Sequence, residues 1–189
     1  MSTAVAEHPL IPRLREAVQL DGLEAITERV KDELATMIAA GELHFGEHFH
    51  RARPDHYCRR LFYRDPTFGF TAVVMTWGPG QRTPLHDHAG IWCVEGVVEG
   101  EMEVVRYELR EEDEGVCRFL YQGSVRALPG SAGALIPPFE YHVLGNPDSE
   151  RVGVTLHVYG GEMDHCCTFE PMAERGAYRR CTKSLRYDE

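Results

Sequence analysis

The chain has 189 residues, 43% of them hydrophobic, and a formal net charge of −10. That length suits one domain able to bury roughly 70% of its unfolded surface, and that composition excludes a disordered chain. The acidic balance argues against a nucleic-acid partner and against an anionic membrane surface, because both need clustered Lys and Arg.

Met1 to Arg15 contain no apolar stretch long enough for a signal peptide, and Glu7 and Pro9 interrupt what there is. No run of about 18 apolar residues occurs, so no membrane-spanning helix is expected, and a cytoplasmic address follows by default. Leu10–Leu20 and Leu23–Ala40 carry apolar residues at spacings of three and four, the signature of amphipathic helices. Asp21 is the expected N-cap of the second. Pro54–Tyr63 reads as a further short helix with Pro54 in its first turn.

After Asp65 the pattern changes to short segments rich in β-branched and aromatic residues. Phe68–Trp77, Ile91–Val98, Met102–Leu109, Val116–Tyr121, Ala134–Ile136 and Val152–Tyr159 read as strands. Turn signals such as Gly78-Pro79-Gly80, Pro129-Gly130 and Gly145-Asn146-Pro147 separate them. The expected fold is mainly β, a sandwich or barrel of the jelly-roll kind, preceded by helices. The chain reads as a single domain over 1–189, helical in 1–65 and a β-barrel in 66–170; the tail from Gly160 to Glu189 gives no clear signal. Cys58, Cys93, Cys117, Cys166, Cys167 and Cys181 show no regular spacing and no C-x-x-C, so they are expected to be reduced.

The chemistry concentrates at His86-Asp87-His88. Residues two apart in a strand share a face, so both imidazoles can reach one ion while Asp87 points away. Imidazoles suit iron, zinc, copper or nickel, and the pair alone does not choose among them. Gly80 and Gly100 flank the pair, and downstream Pro137, His142 and Asn146 form a P-x-x-x-x-H-x-x-x-N arrangement. The two clusters resemble the two motifs of cupins, whose jelly-roll barrel holds one metal. That resemblance implies the ligands His86, His88 and His142. The second motif departs from the pattern at Phe139, where the family has Gly.

The first cupin motif also supplies a glutamate, and its position is Cys93 here. A 2-His-1-carboxylate site offsets one unit of metal charge; three neutral imidazoles offset none and leave Fe(II) able to accept an anionic thiolate. Glu95, two residues on, is the rival for the missing carboxylate.

With cysteine at that position, the chain resembles the cysteine dioxygenase family of thiol dioxygenases. Thr155-Leu156-His157-Val158-Tyr159 is similar to that family's Ser-x-His-x-Tyr triad, and Tyr57-Cys58-Arg59 is similar to the segment whose tyrosine and arginine hold the substrate carboxylate. The resemblance covers roughly Pro54 to Phe169. It implies an Fe(II) enzyme that uses dioxygen to oxidise a small thiol-carboxylate, with Arg59 and Tyr57 on the carboxylate. It further implies that Tyr159 lies near sulfur, positioned by His157 and Thr155. Arg60 neighbours Arg59, and a one-residue shift would exchange the two.

L-cysteine, giving cysteine sulfinic acid, is the expected substrate. Members that prefer 3-mercaptopropionate resemble this chain in the metal site and over Trp77–Pro84, but carry glutamine at the position of Arg59. Gly160 replaces the proline that follows the tyrosine in animal members. The resemblance also implies that Cys93 and Tyr159 can form a thioether. A non-catalytic metal-binding cupin is the reading from a different functional class. The sequence is silent on oligomeric state.

Overall fold

The structure is a computed structural model and describes residues 8–189. Part of the leader reading, Met1–Glu7, lies outside the described residues. Among the described residues two helices, α1 (Leu10–Ala17) and α2 (Leu23–Ala39), and a short 3-10 turn at Glu47–His50 precede eleven strands. These are β1 (Cys58–Arg64), β2 (Thr71–Trp77), β3 (Leu85–His86), β4 (Cys93–Glu99), β5 (Met102–Asp113) and β6 (Val116–Ala127), then β7 (Ala132–Leu135), β8 (His142–Gly145), β9 (Gly153–Tyr159), β10 (His165–Pro171) and β11 (Ala177–Ser184).

The strands form a five-stranded sheet in the order β1-β2-β9-β4-β7 and a second set, β10-β11-β6-β5-β8-β3, closed through pairing of β3 with β10. The named strand pairs are antiparallel. This is the mainly β cupin jelly roll with N-terminal helices. No helix among the described residues is long and apolar enough to cross a membrane.

The five-stranded sheet is buried on both faces, so β2 and β9 are buried along their whole length. The period of two sorts their residues. Ala72, Val74, Val94, Leu156 and Val158 face the helices and pack with Leu14, Leu34 and Met37. Val73, Met75, Trp77, Cys93 and Tyr159 face the barrel interior. Burying a side chain such as Leu34 contributes about 1.5–3 kcal/mol. The helix α2 approaches so closely that a Cβ on Gly96 would stand 3.0 Å from Ile38 Cδ1, which favours glycine there.

Two local expectations are corrected. Asp21 does not cap α2: the N-cap is Gly22, and no side chain bonds the first turn. Pro54–Tyr63 is not helical, because Cys58–Arg64 pairs with β2 as an edge strand of the sheet. The correction decides which arginine meets the interior. Arg59 stands opposite Met75, on the barrel side, and Arg60 opposite Val74, on the helix side. A helix would have turned the two by only about 100° relative to each other; a strand sends them to opposite faces.

Candidate metal centre and substrate cavity

His86, on β3, and His142, on β8, are paired across the second sheet, and His88 follows two residues after His86. One ring nitrogen from each of the three lies within 4.8 Å of the others, so a single ion could be shared. Strand β3 ends at His86, so the turn after it, rather than strand alternation, brings His88 round. Asp87 does point away: its Oδ1 accepts the backbone N–H of Cys167 at 2.8 Å and of Ala89 at 3.1 Å.

Two of the imidazoles are oriented through Nδ1. His86 Nδ1 donates to Pro84 O at 3.1 Å, and His142 Nδ1 donates to Glu140 O at 2.9 Å. His88 Nδ1 lies 3.4 Å from Glu140 Oε2, which also accepts the His88 backbone N–H at 3.1 Å. Holding the proton at Nδ1 leaves Nε2 as a bare acceptor, the arrangement of metal-ligating histidines. Nε2 of His88 and of His142 are buried and make no hydrogen bond. A buried unpaired acceptor costs about 1–3 kcal/mol, and a bound cation removes that cost. The donor set therefore fits a transition metal.

Burial, reinforced by the neighbouring imidazoles, depresses the His86 pKa well below the ordinary value. Burial also lowers that of His88, against the pull of Glu140. Both are neutral and ready to ligate. His142 moves the other way, because the Glu95 carboxylate outweighs its burial.

Glu95 is the residue whose place the sequence underestimates. Its Oε1 lies 3.3 Å from His142 Nε2, 3.2 Å from His157 Nδ1 and 4.0 Å from His88 Nε2. Burial raises its pKa, but His142 and His157 together hold it well below the usual carboxylate range. Glu95, the rival for the missing carboxylate, thus lies beside His142 and His157, while His86, His88 and His142 form the converging trio. Glu95 and Cys93 are two apart on β4 and share the interior face. The signal was present in that spacing.

Thr155, His157 and Tyr159 also share the interior face of β9, opposite Val97, Glu95 and Cys93 respectively. Trp77 Nε1 donates to Thr155 Oγ1 at 2.9 Å, and Thr155 Oγ1 lies 2.7 Å from His157 Nε2. The threonine preserves the first leg of the expected relay. The second leg differs: His157 Nδ1 turns to Glu95, while the His157 and Tyr159 rings stack with centroids 6.0 Å apart. Burial pushes the Tyr159 hydroxyl and the Cys93 thiol well above their ordinary pKa values, so both stay protonated.

Tyr57, Arg59, His86, Glu95, His157 and Tyr159 line one cavity. Tyr57 stacks on Trp77 with centroids 4.7 Å apart. The Arg59 guanidinium donates to Met163 O at 3.0 Å and Arg186 O at 3.3 Å, and lies 5.3 Å from the Tyr187 ring centroid. Arg60 instead binds Thr76 Oγ1 at 3.2 Å and Arg51 O at 2.8 Å, outside that cavity. Lys183 and Leu185 are among the cavity residues with no counterpart in the sequence reading. Lys183 holds its ammonium 5.9 Å from the Tyr57 ring centroid, and Leu185 lines the same wall. Both come from the tail, which carries no motif.

Gly160 follows Tyr159 for a steric reason. Its N–H donates to Trp92 O at 3.0 Å, and a Cβ there would fall 2.2 Å from Trp92 Nε1. All six cysteines are free.

Among solved structures, the chain is similar to TT1209 of Thermus thermophilus, at 20% identity over 62% of this chain and 94% of that one, with a TM-score of 0.46. It is also similar to an RmlC-like cupin of Desulfovibrio desulfuricans, at 19% identity over 64% and 97%, with a TM-score of 0.45. The Cnp3 cupin domain of Schizosaccharomyces pombe matches at 12% identity over 64% and 74%, again with a TM-score of 0.45. The family model described as cysteine dioxygenase type I matches residues 5–172, which include every residue of the metal centre. The chain belongs to the cysteine dioxygenase type I family of cupin thiol dioxygenases.

Proposed function

We propose that the protein is a non-haem iron(II) dioxygenase that converts L-cysteine and dioxygen to cysteine sulfinic acid. One observation carries the reading: Arg59 lines a single cavity with His86, one of three histidines whose ring nitrogens converge within 4.8 Å. In this reading His86, His88 and His142 hold the iron, which when bound supplies the dioxygen chemistry that side chains lack. Arg59 and Tyr57 hold the substrate carboxylate at the outer end, the planar guanidinium offering paired donors in a fixed fork. The thiol then points inward, toward the histidines. Met75 and Leu144 make that part of the wall apolar and keep water out. Tyr159, kept protonated by burial, has a hydroxyl to donate near the sulfur. The reaction balances without another reactant: R–SH and O2 give R–SO2H, the sulfinic rung of thiol oxidation.

A second reading, oxidation of 3-mercaptopropionate, is favoured by Gly160. The Trp92 indole and the bond from the Gly160 N–H leave no room for the proline of animal members. A non-catalytic metal-binding cupin is the remaining alternative. The free cysteines accord with a cytoplasmic location, and the partners proposed are the thiol and dioxygen alone.

The test is oxygen uptake by iron-loaded protein with cysteine, 3-mercaptopropionate and cysteamine, with the sulfinate product identified. Cysteine is expected to give the highest kcat/KM. A higher value for 3-mercaptopropionate selects the second reading, and no uptake with any thiol leaves the non-catalytic one.

A further inference from the structure

We propose that His56, Cys58 and Asp188 form a second metal site, suited to a zinc-type divalent cation, and that an ion there clamps the C-terminal segment onto β1. One donor atom from each of the three lies within 4.8 Å of the others. Cys58 alternates with Arg59 along β1, so its thiol leaves the sheet on the face away from the histidine centre. Asp188 lies beyond the family match, which ends at residue 172, so the site belongs to this chain rather than to the matched segment.

Each donor is held as a ligand would be. His56 Nδ1 stands 3.1 Å from Asp55 Oδ2, the carboxylate–histidine pairing that orients a ligating ring and turns Nε2 toward the metal. That Nε2 faces Asp188 Oδ1 at 2.9 Å. The other oxygen of the same carboxylate, Oδ2, accepts the Arg59 backbone N–H at 2.8 Å, which fixes the carboxylate plane. Cys58 is fully buried, and its thiol donates to Arg51 O over a long 3.7 Å. Such a thiol loses little on exchanging that contact for a metal bond.

Charge balances when an ion enters. Both nitrogens of His56 face carboxylate oxygens, so the free ring carries both protons and a positive charge. A divalent ion displaces the proton on Nε2 and the proton on the Cys58 thiol, both of which go to solvent. The trio then sets one neutral imidazole, one carboxylate and one thiolate around a doubly charged ion, and its net charge is unchanged. Tetrahedral donors about 2.0–2.3 Å from zinc stand about 3.3–3.7 Å apart. His56 and Asp188 therefore open by about half an ångström, which their part-exposed side chains allow. Such a donor set takes Zn(II) ahead of Fe(II) by the usual order of affinities.

His56 and Asp188 border an open recess of about 220 Å³ with Arg59, Lys183 and Arg186, which gives an ion its entry and a water the fourth position. Arg53 Nε lies 4.0 Å from Asp188 Oδ1 on a half-exposed side chain, a pairing weak enough to yield to the ion. The effect reaches the substrate cavity. Asp188 donates its N–H to Arg59 O at 2.7 Å, and Arg186 O accepts from the Arg59 guanidinium at 3.3 Å. An ion joining His56 and Cys58 to Asp188 thus ties the last residues of the chain to the strand that carries Arg59.

The experiment titrates Co(II) into metal-stripped protein. A second ion per chain should bind beyond the one in the barrel, and it should bring a thiolate-to-cobalt absorption in the near ultraviolet. Cys58→Ser and Asp188→Asn should each lose the second ion and that absorption, whereas Cys93→Ala should keep both. Asp55→Asn, which removes the partner behind His56, should weaken the second ion by about tenfold or more. Zn(II) added to iron-loaded protein should slow hydrogen exchange at the Arg59 and Asp188 amides, and His56→Gln should show no such slowing. An unmodified protein that takes up one ion without the near-ultraviolet absorption overturns the proposal. An unchanged second ion and absorption in Cys58→Ser overturn it as well. Should Cys58→Ser not fold, His56→Gln, altered at an exposed side chain, decides by the same two readings. A second ion that leaves exchange at Arg59 and Asp188 unaltered overturns the clamp.

Discussion

Cys93 on β4 and Tyr159 on β9 stand directly opposite each other in the antiparallel register, both on the interior face and both buried. Opposed residues in such a pair hold their Cβ atoms about 4.5–5.5 Å apart, within reach of a bond from sulfur to a tyrosine ring carbon. Forming it removes one hydrogen from the thiol and one from the ring, with dioxygen as the oxidant during turnover. We expect mass spectrometry of iron-loaded, turned-over protein to show the loss of two hydrogens and a branched peptide joining the two segments. Cys93→Ala should abolish that species and keep partial activity. An unmodified Cys93 peptide after long turnover would exclude the crosslink.

Arg59 and Arg60 should separate cleanly by function. Arg59→Ala removes the only cavity-facing arginine of β1, and losing one partner of a desolvated charge pair costs about 2–5 kcal/mol, roughly 30- to several-thousand-fold in kcat/KM for cysteine. Arg60→Ala should instead lower the melting temperature through its lost bonds to Thr76 and Arg51 while leaving KM unchanged. Equal kinetics for unmodified protein and Arg59→Ala would remove Arg59 from the site.

Metal removal should destabilise the fold as well as silence it. His86 and His142 lie on neighbouring strands of the second sheet and His88 in the turn after β3, so an ion among them ties these segments together. An ion present at a hundred times its dissociation constant adds about 2.7 kcal/mol to stability. Calorimetry should show Tm falling with a chelator, recovering with Fe(II), and not responding in His142→Ala.

Asp65 gives a pH-dependent contribution far from the metal. Its carboxylate is buried, accepts from Arg15 Nε at 2.7 Å and from the N–H groups of Thr67 and Phe68, and these bonds outweigh burial to lower its pKa. Because the folded value lies below the unfolded value of about 3.9, the stabilisation is fully present above that value. It fades as pH falls through the folded value. Asp65→Asn should therefore cost about 1.5–3 kcal/mol at pH 7 and progressively less below about pH 4. A difference that does not shrink in urea melts at acid pH would refute this.

The helices and the strands around Val73, Val94, Val104, Phe119 and Val158 are legible in the sequence because apolar spacing and β-branched runs are local signals. The strand at Cys58–Arg64 is not, since Arg59 and Arg60 are both buried and erase the polar–apolar alternation that marks a strand. The cluster of His86, His88 and His142 is legible through motif spacing. The turn of His157 toward Glu95 is not, because it depends on the register between β4 and β9, which neither strand encodes alone. Lys183 and Leu185 reach the cavity only because β11 pairs with β10, so nothing near them in the chain announces that they line it.

The grip of the C-terminal segment on Arg59 divides the cavity into two parts with separate origins. Asp188 accepts the Arg59 backbone N–H at 2.8 Å through its side chain and returns its own N–H to Arg59 O at 2.7 Å, while Arg186 and Tyr187 hold the guanidinium. The outer wall is thus braced by residues beyond the family match, which stops at 172, while Tyr57, Arg59 and the histidines lie within it. The brace on Arg59 and the histidine cluster are therefore separable: exchanging residues 183–188 would reshape the cavity's outer wall without touching His86, His88 or His142.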